Sequence, residues 1–296
     1  KVSASYRVDS PLFSVILPVY KVSSGVLTAT LASLAAQSWQ NWEACVVYAD
    51  TDDDSNFSLL ERFAANEPRI RLSKLNHNGG ISSNSNAALT MARGEFITLL
   101  DHDDELTPWA LYDMAQKIAA IPDVDFLYSD KDSINASGSL RQSPLFKPRW
   151  SPEMLYSVNY LTHLNVMRRA VIQHVGGWRT ETDGAQDWDL FLRVTEASRR
   201  IERVESIGYH WRIIEGSTST GIAAKPYAAL GQLRTLEARI SRLGLSAFVM
   251  PDPDSGFRLV WSSASTPCID VILYSSSDTA GLEKMLAWLA SENDGI

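Results

Sequence analysis

Asp101, His102, Asp103 and Asp104 stand directly behind the apolar run Phe96-Ile97-Thr98-Leu99-Leu100. A strand that stops this abruptly delivers several carboxylates to one place, and like charges so close together repel and raise one another's pKa. Capping the helix expected from Pro108 needs only Asp104 or Thr107. The remaining acids are best explained by a shared cation, and oxygen ligands favour Mg²⁺ or Mn²⁺, whose coordination is commonly completed by substrate phosphates. A second acidic group, Gly184-Ala-Gln186-Asp187-Trp188-Asp189, opens a helix, where the macrodipole favours negative charge on its own account. Trp188 adds a flat face suited to a sugar ring or to a core. His210 stands in Gly208-Tyr-His-Trp-Arg212. A lone histidine is more often a structural hydrogen-bonding residue, but imidazole suits Mn²⁺ and Arg212 could meet a phosphate. His77, His102, His163 and His174 have weaker context. The stretch from Asn76 through Asn78, Gly79 and Gly80 to Asn84 and Asn86 supplies amide donors, and its glycine pair permits a tight turn or close ligand approach.

The elements that must position these residues follow from hydrophobic periodicity. Phe13 to Val19 reads as a strand, and Leu27, Leu31, Leu34 and Ala35 share one helical face. Ala44 to Tyr48 is a second strand, Leu59 to Ala65 a helix, Ile70 to Leu72 a short strand, Asn84 to Ala92 a helix and Glu95 to Leu100 a fourth strand. This order implies an α/β fold with a Rossmann-like, mainly parallel sheet and helices on both faces. Such sheets bind ligands at the carboxyl ends of their strands, which is where Asp101 to Asp104 fall. No G-x-G-x-x-G follows the first strand, which argues against a nicotinamide or flavin cofactor held in the usual way. Further on, the pattern predicts a helix over 107–120, a strand at Phe126 to Tyr128, a hairpin turn at Asn135-Ala-Ser-Gly138 and a surface segment over 141–152. A helix follows over 186–196, then two short strands at 201–204 and 209–212. Leu233, Leu236, Ile240 and Leu243 mark a C-terminal helix with Gly244 where a C-cap belongs.

The 296 residues carry 27 Lys and Arg against 35 Asp and Glu, and the net charge of −8 argues against broad binding to nucleic acid or to anionic lipid. The two cysteines, Cys45 and Cys268, read as separate buried thiols and exclude a multi-cysteine zinc cluster. No apolar run approaches a membrane span. The chain begins at Lys1 without Met and shows no apolar signal segment, so it reads as a piece cut from a longer cytoplasmic protein. Pro267-Cys-Ile-Asp-Val271-Ile-Leu repeats Pro11-Leu-Phe-Ser-Val15-Ile-Leu, and Leu286-Ala-Trp-Leu289-Ala repeats Leu31-Ala-Ser-Leu34-Ala. The expected division is therefore one domain over residues 1–245, then a linker hairpin and the truncated start of a second, similar domain over 246–296.

Taken together, the segments resemble the inverting glycosyltransferases of family two, whose fold is called GT-A. The matching pieces occur in family order: Ser14-Val-Ile-Leu-Pro-Val-Tyr20, Asn78-Gly-Gly-Ile with Asn86, and Ala92-Arg-Gly-Glu-Phe-Ile-Thr-Leu-Leu-Asp-His-Asp-Asp104. Tyr128-Ser-Asp130, Val175-Gly-Gly-Trp178, Gln186-Asp-Trp-Asp-Leu-Phe-Leu-Arg193 and Tyr209-His-Trp-Arg212 complete the set. The resemblance spans residues 12 to 220 and looks closest to bacterial enzymes that build O-antigen, capsule or similar surface polysaccharides. It implies transfer of a sugar from a nucleotide-diphosphate donor, UDP-sugar before dTDP-sugar, to a hydroxyl of a glycan or lipid-linked glycan, with inversion at the anomeric carbon. It places the enzyme in the cytoplasm, peripherally at the inner face of the membrane.

Roles follow from matched positions. The resemblance puts Pro18, Val19 and Tyr20 beside the nucleobase, Asp101 at the ribose or diphosphate, and Asp103 as the principal ligand of Mn²⁺ or Mg²⁺. Asp187 becomes the general base, and His210 helps hold the metal or diphosphate. Gly80, Asn86 and Arg212 join the donor-binding set, and Trp178 and Trp188 the acceptor side. Two positions depart from the family. Tyr48-Ala49-Asp50-Thr51 stands where Asp-Asp-Gly-Ser is common, displacing the base-contacting acid to Asp50, and Gln186-Asp187 replaces an acidic pair while keeping the acid expected to act. The altered 48–49 site and the tandem organisation motivate a competing expectation, a degenerate nucleotide- or carbohydrate-binding module that supports an active neighbour. Nucleotidyl transfer would need a basic glycine-rich loop, and none precedes Lys74.

Overall fold

The computed structural model describes residues 10–214, 226–252, 256–262 and 279–292. The expected alternation is present: β1 (Phe13–Val19), α1 (Ser24–Ala35), β2 (Trp42–Tyr48), α2 (Ser55–Asn66), β3 (Ile70–Lys74), α3 (Ile81–Met91) and β4 (Phe96–Leu99). There follow β5 (Glu105–Leu106), α4 (Ala110–Ala120), β6 (Phe126–Ile134), β7 (Arg141–Leu145), α5 (Pro152–Leu155), β8 (Asn165–Arg168) and α6 (Arg169–Val175). A 3₁₀ turn at Thr180–Thr182 leads to α7 (Gln186–Ala197), β9 (Ile201–Arg212), α8 (Pro226–Leu243), the hairpin β10 (Ala247–Asp252) and β11 (Gly256–Trp261), and α9 (Thr279–Glu292).

The main sheet runs β3-β2-β1-β4-β8-β6-β9-β5, with β7 paired to β6. Its first four strands are parallel. Beyond them it is mixed, because β8 runs antiparallel to both β4 and β6 while β9 returns parallel to β6. Both faces are covered, which is why the central strands read as unbroken apolar runs. Phe13, Val15, Leu17, Trp42, Val46 and Leu127 meet α1, α2 and α4 on one face, whereas Ile16, Val47, Ile97 and Tyr128 meet α3, α6, α7 and α8 on the other.

Several expectations are refined. The two short strands after α7 form one strand whose pairing with β6 shifts register between Ser129 and Lys131. The helix expected from Pro108 begins at Ala110 and has no side-chain cap, since Asp104 is engaged elsewhere. The hairpin turn forms between β6 and β7, where the Asn135 N–H donates to the Leu140 carbonyl. Gly244 follows α8 with φ of 61°, a left-handed conformation suited to a residue without Cβ. Cys45 is a buried free thiol, and Cys268 lies outside the described residues, as does the strand portion of the C-terminal repeat. Among the described residues no helix is long and apolar enough to cross a membrane.

Candidate active site

Strand β4 ends at the border of the parallel half of the sheet, and the loop behind it is held by two residues of β9. The Asp104 carboxylate is fully buried and accepts hydrogen bonds from the Tyr209 hydroxyl at 2.7 Å and the Arg212 N–H at 2.7 Å. The Tyr209 oxygen in turn accepts from the Asp101 N–H at 3.2 Å. Strand β9 thus pins the loop through Asp104 and leaves Asp101 and Asp103 to line a cavity of about 690 Å³ together with Lys131, His163, Asp187 and Trp188.

One oxygen from each of Asp101, Asp103 and Asp104 falls within a 4.8 Å group. Burial first, and the Asp101 charge second, push the Asp103 carboxyl above its usual range; Asp104 is pushed well above by burial and by both neighbours. An all-oxygen set whose members resist carrying charge together fits a hard divalent cation. Asp103 and Asp101 would hold it, with Asp104 serving the loop. For Asp101 burial pushes upward, but His163 beside it, helped by His102 and Lys131, brings its carboxyl below the usual range.

Helix α7 delivers the second acid. Its two first-turn carboxylates, indistinguishable by spacing, have different fates. Asp189 is buried and pairs with Arg179 and with Arg193, whose Nη2 lies at 2.6 Å, so it is structural. Asp187 faces the cavity, accepts from the Trp178 Nε1–H at 3.4 Å, and lies 3.8 Å from His163 Nε2. Burial raises its pKa, His163 opposes that rise, and the Asp101 charge adds to it. A carboxylate held above its ordinary range is a stronger proton acceptor.

His163 is the residue that sequence reasoning passed over. Its Nε2 is 3.3 Å from Asp101 and 3.8 Å from Asp187, and its ring stacks on Tyr209 with centroids 4.8 Å apart. The antiparallel pairing Thr98 with Val166, continued past the strand ends, sets His163 opposite Asp101. No local pattern announces this, because the signal is a strand register between distant segments.

Other sequence-derived candidates are placed differently. Arg212, expected at a phosphate, is 2% exposed, pairs with Glu105, and donates to the carbonyl oxygens of Asp103 at 2.8 Å and Ala136 at 3.1 Å. His210 meets Asp132 through Nδ1 and is not among the cavity residues. Asn86 clamps the Trp178 backbone through both its amide groups, at 2.8 and 2.9 Å, so it joins α3 to the segment before α7. Trp178 is buried beneath Asp187, while Trp188 lines the cavity with its indole N–H given to the Leu155 carbonyl. Pro18 and Val19 are buried, Pro18 offering its carbonyl to His102 Nδ1 at 3.1 Å, and Tyr20 is half-buried. Asp50 is buried beyond β2 and accepts from the Asp52 N–H at 3.2 Å. Gly80 precedes α3 with φ of 88°, and a Cβ there would come within 2.6 Å of an Asp183 oxygen.

The Arg212 network carries a stability prediction. Removing one partner of a buried pair costs about 3–5 kcal/mol, and the lower end applies because Glu105 keeps some solvent. Arg212→Met is expected to lower the urea midpoint accordingly. Weakened donor binding at unchanged stability would return Arg212 to the ligand-binding set.

Comparison with known proteins shows the family. Residues 14–176, more than half of the chain, match Glycosyl transferase family 2. The chain belongs to that family, the inverting glycosyltransferases of GT-A fold. It is 37% identical over 270 residues to the uncharacterized protein y4gI of Sinorhizobium fredii, covering 90% of this chain and 30% of that protein. It is 33% identical over 263 residues to the O-antigen biosynthesis protein RfbC of Myxococcus xanthus, covering 89% of this chain and 20% of that one. The chain therefore spans less than a third of the length of these two relatives. Residues 1–349 of Staphylococcus aureus TarS, solved with UDP-GlcNAc, share the fold at a TM-score of 0.57 and 21% identity, covering 78% of this chain and 72% of that one.

Proposed function

We propose that the chain transfers a sugar from a nucleotide-diphosphate donor to a glycan hydroxyl, with inversion, in the assembly of a surface polysaccharide. The observation that carries this is the meeting of Asp101 and Asp103 with Asp187 in one cavity, in a chain of this family. The UDP-GlcNAc complex of TarS and the O-antigen role of RfbC support a UDP-sugar donor, with a dTDP-sugar the alternative, and a glycan or lipid-linked glycan acceptor. The reading includes work at the cytoplasmic face of a membrane and a domain division near residue 245.

In this mechanism Asp101 and Asp103 would hold Mn²⁺ or Mg²⁺, which would neutralise charge gathering on the leaving diphosphate. Asp187 accepts the acceptor hydroxyl's proton on a carboxylate oxygen as that hydroxyl attacks the anomeric carbon and the bond to the diphosphate breaks. Trp178 fixes the carboxylate from below and His163 fixes it from the side. Trp188 supplies the flat wall against which a sugar ring packs. A screen of nucleotide sugars with Mn²⁺ and a glycan acceptor, scored by released nucleoside diphosphate, tests the reading. Turnover of at least one donor is expected, and silence across the uridine and thymidine series would overturn it.

The pH dependence follows from the neighbours of Asp187. Protonated His163 favours the carboxylate form, so His163→Gln removes a group that holds the Asp187 pKa down. The acid limb of kcat against pH is expected to move to higher pH in that variant. An unmoved limb would show that the imidazole does not act on the base.

A further inference from the structure

The buried basic side chains of the described residues have polar partners, with one exception. Arg193 pairs with Asp189, Arg212 with Glu105 and Arg239 with Glu196. His163 faces Asp101, and Lys147 donates to the carbonyl oxygens of Leu161 and His163. Lys131, only 7% exposed, meets no carboxylate at ion-pair distance and no hydrogen-bond acceptor among the described residues; its ammonium rests over the Trp211 ring, 3.7 Å from the centroid.

Strand β6 directs this lysine into the cavity that holds Asp101, Asp103 and Asp187, and Trp211 lines the same cavity. Burial pushes the Lys131 ammonium down to about 8, against the pull of Asp104 and Asp101. Neither acid completes it: Asp104 is taken by Tyr209 and Arg212, and Asp101 by His163. A lysine this deeply set is partly stripped of water, and stacking on an indole offsets only part of that cost. A ligand oxygen of opposite charge would supply the missing partner, and a charge-assisted bond of this kind is stronger than a neutral one.

We propose that Lys131 is an anion-recognition residue of this cavity, binding an anionic oxygen of the substrate while Trp211 holds the ammonium from behind. The proposal rests on the transferase reading, in which such an oxygen has two sources: the donor's diphosphate, or a carboxylate on an acidic sugar. Lys21 lines the same cavity but is exposed and paired with Asp52, so the buried Lys131 is the lysine left to meet an anionic group there, at a point set apart from Asp101, Asp103 and Asp187.

Acetylation of the unaltered chain with peptide mass mapping reads this ammonium directly. In buffer with Mn²⁺, Lys131 is expected to react in the free chain and to be protected by pyrophosphate or by glucuronate, but not by glucose. Protection by pyrophosphate alone assigns the leaving group, by glucuronate alone the acidic sugar, and by both an unselective anion site at Lys131. Protection by neither, equal protection by glucose, or a Lys131 inert to the reagent overturns the proposal. With the protecting anion as titrant, Lys131→Met is expected to weaken calorimetric binding by about tenfold or more, while Lys131→Arg stays near wild type at matched melting temperature. Equal affinity in the Met variant also overturns it. Mn²⁺-dependent binding of UDP scores the transferase reading separately, so UDP binding without Lys131 protection sinks this proposal alone.

Discussion

Asp187→Asn is expected to cut transfer by about 10²–10⁴-fold, the usual worth of a general base, with donor affinity little changed. Asparagine keeps the shape of the side chain, and its carbonyl oxygen can still accept from the Trp178 indole, so the first turn of α7 stays in place. It has no basic oxygen to receive the acceptor's proton. The substitution therefore separates binding from chemistry, and calorimetry with UDP alongside a transfer assay reads the two apart. The neighbouring acid provides the contrast. Asp189→Asn weakens the pairs to Arg179 and Arg193, and its effect belongs in stability. Retention of most transfer by the Asp187 variant would remove that residue from the mechanism.

Asp103→Ala is expected to abolish the response to divalent ions and to lower turnover by about 10²–10³-fold, corresponding to several kcal/mol of lost charge stabilisation. Asp101 alone does not make up the lost ligand pair. Asp104 is spent on Tyr209 and Arg212, and Asp101 is drawn toward His163. Chelation of the wild-type chain should reproduce the loss, whereas the variant should be indifferent to chelator. Wild-type turnover that persists in chelator would dismiss the cation from the reaction.

The alternation of strand and helix through Leu100 is legible because each central strand is buried on both faces and each helix shows one apolar face. The acids at the end of β4 are legible for the same reason: an apolar run stopping at Asp101 marks its own edge. What escapes is whatever depends on pairing between remote segments. The two residues of β5 and the four of β8 are too short to carry a period, and His163 acquires its meaning only when β8 lies antiparallel to β4. In the sequence Arg212 reads as a phosphate ligand, and Asn86 joins the donor-binding set through the family resemblance. The sequence pattern gives no sign that Glu105 and the Trp178 backbone already occupy them. Gln186-Asp187-Trp188-Asp189 places two acids on one helix, and only the guanidinium groups of Arg179 and Arg193 decide which carboxylate stays free of an arginine partner.

Strand β8 has a consequence for recombining this protein with its relatives. It joins the sheet between β4 and β6, although it follows both in the chain. Strand β4, which leads into Asp103, and strand β6 are consequently stitched edge to edge by residues 165–168. A crossover placed before Asn165 imports a foreign stitch along with the foreign base, whereas one placed after Arg168 keeps the native seam and changes only what lies beyond it. Hybrids made at the later junction should be the ones that recover a closed sheet, and equal recovery from both junctions would show that the seam tolerates exchange.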